Sequence, residues 1–161
     1  MVYQIDFDLS KTYDPSAVPE LWPSVPVLGT RVVDGAGRKW MFVQAGGAIT
    51  AKNFLTPDLA EGEHHFRETA AIEEPIEAIA DIGCSDNFQF WVCVRGKIEN
   101  CNVGTPSQGD RLGSTAVAGR ADTLTISVTP TQAEIEGVRD AGKRVVALEN
   151  AAANAADCYI E

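Results

Sequence analysis

Positive charge, histidine and long apolar runs are all scarce in this 161-residue chain. It carries 13 lysine and arginine residues against 23 aspartate and glutamate residues, a formal net charge of −10. Attraction to nucleic acid or to anionic lipid comes from an excess of basic side chains, so we expect neither nucleic acid nor a membrane as a partner. No apolar run approaches the roughly 20 residues that cross a bilayer, and the start of the chain lacks a signal-peptide pattern. The protein is therefore expected to be made in a cytoplasm.

The groups that enzymes and metal sites use are equally few. Only His64 and His65 could act as imidazole bases, and they follow Glu61 and Glu63 in a charged segment that could offer metal ligands. Adjacent histidines project apart on regular backbone, unlike the i, i+4 pair of zinc enzymes, so a solvated acidic loop is the favoured interpretation. The chain also lacks a phosphate-binding loop and a Gly-x-Ser-x-Gly motif. The sequence predicts no enzyme, no cofactor and no metal site.

The four cysteines match neither a zinc knuckle nor a dense disulfide framework. They are Cys84, Cys93, Cys101 and Cys158. We expect reduced thiols that pack as small core residues. The alternative is a disulfide between Cys93 and Cys101 across a hairpin.

Apolar and polar residues alternate at the start of the chain. This pattern predicts a strand over residues 3–10, with one apolar face formed by Tyr3, Ile5, Phe7 and Leu9. The prolines that follow, up to Pro26, predict an extended tether. The strand could be an edge of the protein's own sheet, or an arm that joins the sheet of a neighbouring subunit. Under the second interpretation these four apolar residues form an assembly arm.

The rest of the chain has the pattern of a mainly β protein, as a compact β-barrel or β-sandwich with at most one or two short helices. The predicted domains are an extended N-terminal arm over 1–26 and a β-rich core over 27–161, with a surface excursion at about 57–74. Hairpins are predicted at 34–38 and at Gly96-Lys97, and a capping box predicts a helix over 131–138. The predicted strands are 29–33, 39–45, 48–54, 75–82, 88–95, 98–103, 124–128, 144–148 and 155–160.

Four short motifs follow one another between residues 28 and 122. They are Gly29-Thr30-Arg31-Val32-Val33, Trp40-Met41-Phe42-Val43-Gln44-Ala45, Trp91-Val92-Cys93-Val94-Arg95-Gly96, and Gly109-Asp110-Arg111-Leu112 with Ala118-Gly119-Arg120. Their order resembles that in head decoration, or cement, proteins of tailed bacteriophages. The resemblance implies a structural virion protein, often a trimer, that binds the major capsid protein on the outer surface of the head and stabilises the shell. The arm and the excursion have no counterpart in it.

The resemblance therefore predicts a capsid decoration protein, made in the host cytoplasm and assembled into the virion. The alternative is a phage tail or adsorption component that binds a host-surface ligand. Trp22 is the aromatic side chain available for such a ligand, because Trp40 and Trp91 lie inside apolar strands and are expected in the core.

Overall fold

The computed structural model describes residues 7–17, 25–72, 74–124 and 144–161. Regular structure in these ranges consists of strands without helices, so none of the described segments is a helix able to span a membrane. The ten strands are β1 Arg31–Val33, β2 Lys39–Ala45, β3 Phe54–Pro57, β4 His65–Glu68, β5 Ala78–Ile79, β6 Gln89–Asn102, β7 Arg111–Ser114, β8 Ala121–Thr123, β9 Val145–Ala147 and β10 Ala155–Ile160.

Five of the strands close into a barrel. Neighbouring strands pair in the order β2, β4, β3, β5 and β6, and β6 pairs back to β2. The β2–β4 pair is parallel and the other barrel pairs are antiparallel. Closure leaves these strands with partners on both sides, which removes the exposed edges of an open sheet. The mainly β fold class predicted from the sequence is confirmed, in its barrel form.

A second group of strands continues from the far half of β6. It follows the order β6, β10, β9, β7 and β8, with antiparallel pairing throughout. The first half of the 14-residue β6 pairs with β2, and its second half pairs with β10. One continuous strand therefore belongs to both the barrel and the second sheet.

Strand alternation divides the buried residues into two clusters. Every barrel strand contributes to one cluster, so this cluster fills the barrel interior; its members include Val43, Leu55, Phe66, Ala78 and Phe90. The other cluster lies between the outer face of the barrel and the second sheet; its members include Trp40, Phe42, Trp91, Ile98 and Leu112. The prediction that Trp40 and Trp91 are core residues is confirmed, since they are 1% and 0% exposed.

The predicted hairpin at Gly96-Lys97 is wrong, because β6 continues through both residues as one strand. Gly96 has a φ of +125°, and a Cβ at this position would lie 2.7 Å from Cγ of Arg38. The pairing of β6 with β2 also shifts by one residue beside Val94, which is a β-bulge. A strand that passes from one sheet to another needs such a bulge or bend, and glycine permits the backbone angle. The glycine therefore marks the change of sheet instead of a reversal.

Two other predictions along the chain need correction. The predicted strand over 48–54 begins only at Phe54, and Ile49 forms an isolated bridge with Cys84. The predicted excursion over 57–74 contains β4, whose Phe66 packs inside the barrel. The charged residues around Phe66 gave this strand the pattern of a surface loop. In the structure, Arg67 forms an ion pair of 2.6 Å with Glu74 on the outer side of the barrel.

Most of the remaining strands agree with the sequence pattern. The first hairpin is confirmed by the pairing of β1 with β2, and the segments 75–82, 144–148 and 155–160 contain β5, β9 and β10. The predicted helix over 131–138 and residues 125–128 of the predicted strand lie outside the described residues.

All four cysteines are free and buried. Cys93 and Cys101 lie on the same strand, so the hairpin that would have brought them face to face does not exist. Cys101 instead lies near Cys158 of the paired strand β10. The neighbouring Cys158 thiol and burial both raise the pKa of Cys101, and burial raises the pKa of Cys84 to about 12. These thiols have the environment of core residues and not of nucleophiles.

Candidate functional site

The described part of the N-terminal segment lies on the protein's own core. The ring of Phe7 packs against Trp91, with centroids 5.2 Å apart, and Leu9 is partly buried against the same cluster. Further along, the backbones of Tyr13 and Gln89 exchange two hydrogen bonds of 2.8 Å. The segment thereby covers the outer face of β2 and β6.

Residues 7–10 are not part of a strand, which corrects the predicted strand over 3–10 at its end. Asp8 accepts hydrogen bonds from the backbone N–H and the hydroxyl of Ser10, at 3.0 and 2.5 Å. These two bonds lower the pKa of Asp8 and form a local turn, which competes with strand pairing. Of the predicted assembly arm, Phe7 and Leu9 contact their own core, while Tyr3 and Ile5 lie outside the described residues.

The mouth of the barrel forms a concave surface, a groove of about 680 Å³. Its floor consists of apolar side chains from the end of the barrel interior, and its rim carries charges. The floor and walls include Val33, Met41, Pro57, Phe66 and Val94, and the charged residues are Arg31, Lys39, Glu77, Arg95 and Glu161. Barrel mouths of this volume are common binding sites.

The hairpin between β1 and β2 is held by Asp34, which fixes one wall of the groove. One carboxylate oxygen of Asp34 accepts hydrogen bonds from the N–H groups of Ala36 and Arg38, at 2.9 and 3.0 Å. The other accepts from Nε of Arg38 at 2.7 Å and from the Trp40 indole at 2.9 Å. Burial alone would raise the pKa of Asp34, but these hydrogen bonds outweigh it and lower the pKa. The turn therefore has a fixed geometry, and Lys39 follows it directly.

Three cations line the groove. Among the described residues, Arg31, Lys39 and Arg95 form no ion pair. Ion pairs are formed by Lys11, Arg38, Lys52, Arg67, Lys97 and Arg144, among others. Lys39 and Arg95 also lie directly opposite each other on β2 and β6. Like charges in this arrangement repel each other, and the carboxylates of Glu77 and Glu161 line the same groove.

The backbone of β1 borders the same groove. This strand pairs with β2 on one side, and no other described strand pairs with it. Its exposed side chains include Val33, which is 64% exposed. An edge strand leaves part of its backbone N–H and C=O groups unpaired, although a strand as short as β1 offers few of them. The groove thus combines an apolar floor, three cations and a free sheet edge.

The acidic histidine segment packs against the backbone just before β1. His64 lies against the backbone of Gly29, where a Cβ would come within 2.5 Å of its Nε2. Its distance to the Glu63 carboxylate is 3.7 Å. No group of three potential metal ligands occurs among the described residues. Trp22, the aromatic candidate for binding a host-surface ligand, lies outside the described ranges.

Sequence reasoning missed the groove, although part of its signal was present. The predicted β1–β2 hairpin already places Arg31 and Lys39 on one face, because they lie opposite Met41 and Val33. Arg95 is 56 residues further along than Lys39. Only the register of β6 against β2 brings these two cations together.

Comparisons with known proteins show a likeness in fold. No protein-family model and no curated protein matches the chain. Among solved structures, the N base of the head fiber gp8.5 of bacteriophage phi29 matches with a TM-score of 0.51 and 15% sequence identity. The match covers 76% of this chain and 92% of the phage protein. The chain therefore has the fold of a phage head fiber base.

Proposed function

We propose that this chain is a structural protein of a phage head, which binds the outer surface of the shell as a decoration protein and stabilises it. The observation that carries the proposal is the shared fold with the base of a phage head fiber. The motif order that resembles phage decoration proteins supports it independently. The major capsid protein and further copies of the chain, as a homotrimer, are the partners we propose.

The proposed role needs no catalytic group, cofactor or nucleic acid. Decoration is a binding function, and its physical requirement is buried interface between subunits and shell. The excess of acidic side chains is compatible with this role, because it disfavours non-specific attachment to the packaged nucleic acid. The proposed location is the outside of the virion, after synthesis in the host cytoplasm.

The test is co-sedimentation of the purified chain with phage heads that lack it. Light scattering first gives the mass of the free chain, and pelleting with increasing protein then gives the number of copies bound per head. We expect saturation at a copy number that matches the shell's symmetry, and no further binding to heads that are already saturated. A chain that stays in the supernatant at every concentration contradicts the proposal.

Stabilisation is tested on the same particles. Bare and decorated heads are heated, and release of packaged DNA is followed with an intercalating dye. A cement protein raises the release temperature, because its binding free energy favours the intact shell. If bare and fully decorated heads release DNA at the same temperature, the chain binds the shell but does not stabilise it.

A second candidate is the base of a longer head fiber, and the favouring observation is again the phi29 neighbour, whose matched part is a fiber base. Electron microscopy of decorated heads separates the two roles. Compact knobs at fixed shell positions support decoration, whereas a projecting fiber attached to each knob supports the base.

A further inference from the structure

We propose that a polar cleft beside the second sheet binds a neutral saccharide. The cleft has a volume of about 590 Å³ and shares no lining residue with the barrel mouth. Three parts of the chain form it: the outward face of β6 and β10, the tip of the β1–β2 hairpin, and an ion pair between Lys52 and Asp81. The inference goes beyond shell attachment and does not depend on it.

The floor of the cleft is the outward face of the β6–β10 pair. Tyr159 of β10 lies directly opposite Lys97 of β6. The residues on either side of Tyr159, Cys158 and Ile160, are fully buried, so the Tyr159 side chain points outward. Glu99 lies on the same face, two residues further along β6 than Lys97. The floor therefore places an aromatic ring beside charged groups.

The hairpin between β1 and β2 forms one wall, and Gly96 allows its close approach. A Cβ at Gly96 would lie 2.7 Å from Cγ of Arg38, so a larger residue there would push the hairpin away from β6. Arg38 is itself fixed, because its Nε donates a hydrogen bond of 2.7 Å to Asp34. Its guanidinium also lies 5.0 Å from the centre of the Trp40 ring. The wall thus has a fixed position relative to the floor.

Each of the three cations in the lining has an acidic partner. The pairs are Arg38 with Asp34, Lys52 with Asp81, and Lys97 with both Asp157 and Glu99. An anion or a cation that entered the cleft would have to separate one of these pairs to gain a partner of opposite charge. An uncharged ligand leaves all of them intact. The charge arrangement therefore favours a neutral polar molecule over a phosphate or a metal ion.

Hydrogen-bonding capacity remains on these fixed side chains. Among the described residues, no group donates a hydrogen bond to Oδ2 of Asp81, to Oε2 of Glu99 or to the hydroxyl of Tyr159. A sugar hydroxyl both donates and accepts, so it can bind a free carboxylate oxygen and a lysine ammonium at the same time. The apolar C–H face of a sugar ring can pack on Tyr159. A neutral saccharide uses all of these groups.

The size and rigidity of the cleft fit this ligand class. Small-molecule sites commonly have volumes of about 300–1,000 Å³, and side chains that are already held in place lose little entropy on binding. The cleft can hold a mono- or disaccharide unit of a larger glycan. Many copies of the chain on one head would convert weak single contacts into firm attachment to a glycan-coated surface.

A titration followed by NMR tests the site on the free chain. The ¹⁵N-labelled protein receives glucose, galactose, mannose, N-acetylglucosamine or their disaccharides up to about 50 mM, which detects dissociation constants in the millimolar range. We expect at least one sugar to give saturable shifts of the Lys97, Glu99 and Tyr159 amide signals. Inorganic phosphate at the same ionic strength should give none. The proposal is overturned if every sugar fails to give saturable shifts, or if phosphate binds the cleft more tightly than the sugars.

Two variants locate the bound sugar. Glu99→Gln removes a carboxylate at a side chain that is 69% exposed, so the fold should be unaffected and the affinity should fall by about threefold to tenfold. Glu63→Gln, at a side chain that is 89% exposed and outside the cleft, is the matched control and should bind as wild type does. Equal affinities of these two variants contradict the site.

Ala36→Trp blocks the cleft without removing any of its polar groups. Ala36 is exposed on the hairpin and lines the cleft, so a tryptophan there should occupy the volume of the sugar and abolish the shifts. Undiminished binding in this variant places the sugar elsewhere and refutes the proposal. Because these experiments use no shells, their outcome is independent of co-sedimentation with phage heads.

Discussion

Replacing Trp91 by alanine tests how tightly the N-terminal segment and the outer face of the barrel pack around this ring. The Trp91 ring is 0% exposed and packs between Phe7 and Phe42, with centroid distances of 5.2 and 5.1 Å. A buried tryptophan removes roughly 200 Å² from water, which at about 25 cal/mol per Å² corresponds to about 5 kcal/mol. We therefore expect Trp91→Ala to lower the free energy of unfolding by about 3–5 kcal/mol.

Trp91→Phe distinguishes packing from hydrogen bonding. The indole Nε1 of Trp91 is buried and has no hydrogen-bond partner among the described residues, so the phenylalanine variant loses ring volume but also removes an unsatisfied donor. An unsatisfied buried donor costs about 1–3 kcal/mol, and the two changes partly offset each other. Trp91→Phe should thus lose much less than Trp91→Ala.

The assay is urea unfolding followed by far-UV circular dichroism. Val117→Ala, at a site 54% exposed, is the control and should change stability by less than about 0.5 kcal/mol. A loss below about 1 kcal/mol for Trp91→Ala would show that the ring is not packed as described.

Three further predictions concern the backbone, pH and the thiols. Gly96→Ala should destabilise the fold by about 1–3 kcal/mol in thermal melts because of its positive φ and close contacts, whereas Gly35→Ala, which meets open space, should be nearly neutral. Asp34→Asn should lower stability at pH 7. Burial alone would raise the pKa of Asp34, but its hydrogen bonds hold that pKa below the ordinary 3.8, so the stabilisation is present above pH 3.8 and is lost as pH falls through the folded-state pKa. The difference between wild type and variant in urea unfolding should therefore shrink as the pH is lowered below 3.8. Burial raises the pKa values of Cys84 and Cys93 to about 12 and about 11, so Ellman's reagent should label these thiols only after unfolding.

Each of these three has a result that contradicts it. Equal melting temperatures for the two glycine variants would mean that Gly96 does not need its backbone angle. A stability difference between wild type and Asp34→Asn that does not shrink as the pH falls below 3.8 would show that the carboxylate charge is not its source. Rapid labelling of native protein would place at least one cysteine at the surface.

Local patterns predicted the strands best where one short connection determines the pairing. The segment around Asp34 combines two strand patterns with glycine-rich turn chemistry, and the hairpin formed there as expected. The same reasoning failed at Gly96, because a glycine suits a bulge between sheets as well as a turn. The sequence around this residue does not distinguish the two, since the difference lies in which distant strand β6 meets next.

Long-range pairing also explains why the barrel and its mouth could not be predicted residue by residue. β4 carries Arg67 and Glu68 beside the buried Phe66, a pattern that resembles a surface loop until β2 and β3 pair with it. The three groove cations come from β1, β2 and β6, and only the register aligns them. For the N-terminal segment, alternation predicted an apolar face correctly at Phe7 and Leu9 but not the turn that Asp8 forms with Ser10.

Because β6 runs without interruption through the barrel and the second sheet, tension applied to either sheet passes to the other along covalent bonds. Two sheets that met only through side chains could be peeled apart at their contact. Here such separation requires breaking the ladders on β6 itself, many hydrogen bonds at once when the load is parallel to the strand. In the proposed attachment to a shell under internal pressure, β6 would transmit force between the barrel and the second sheet.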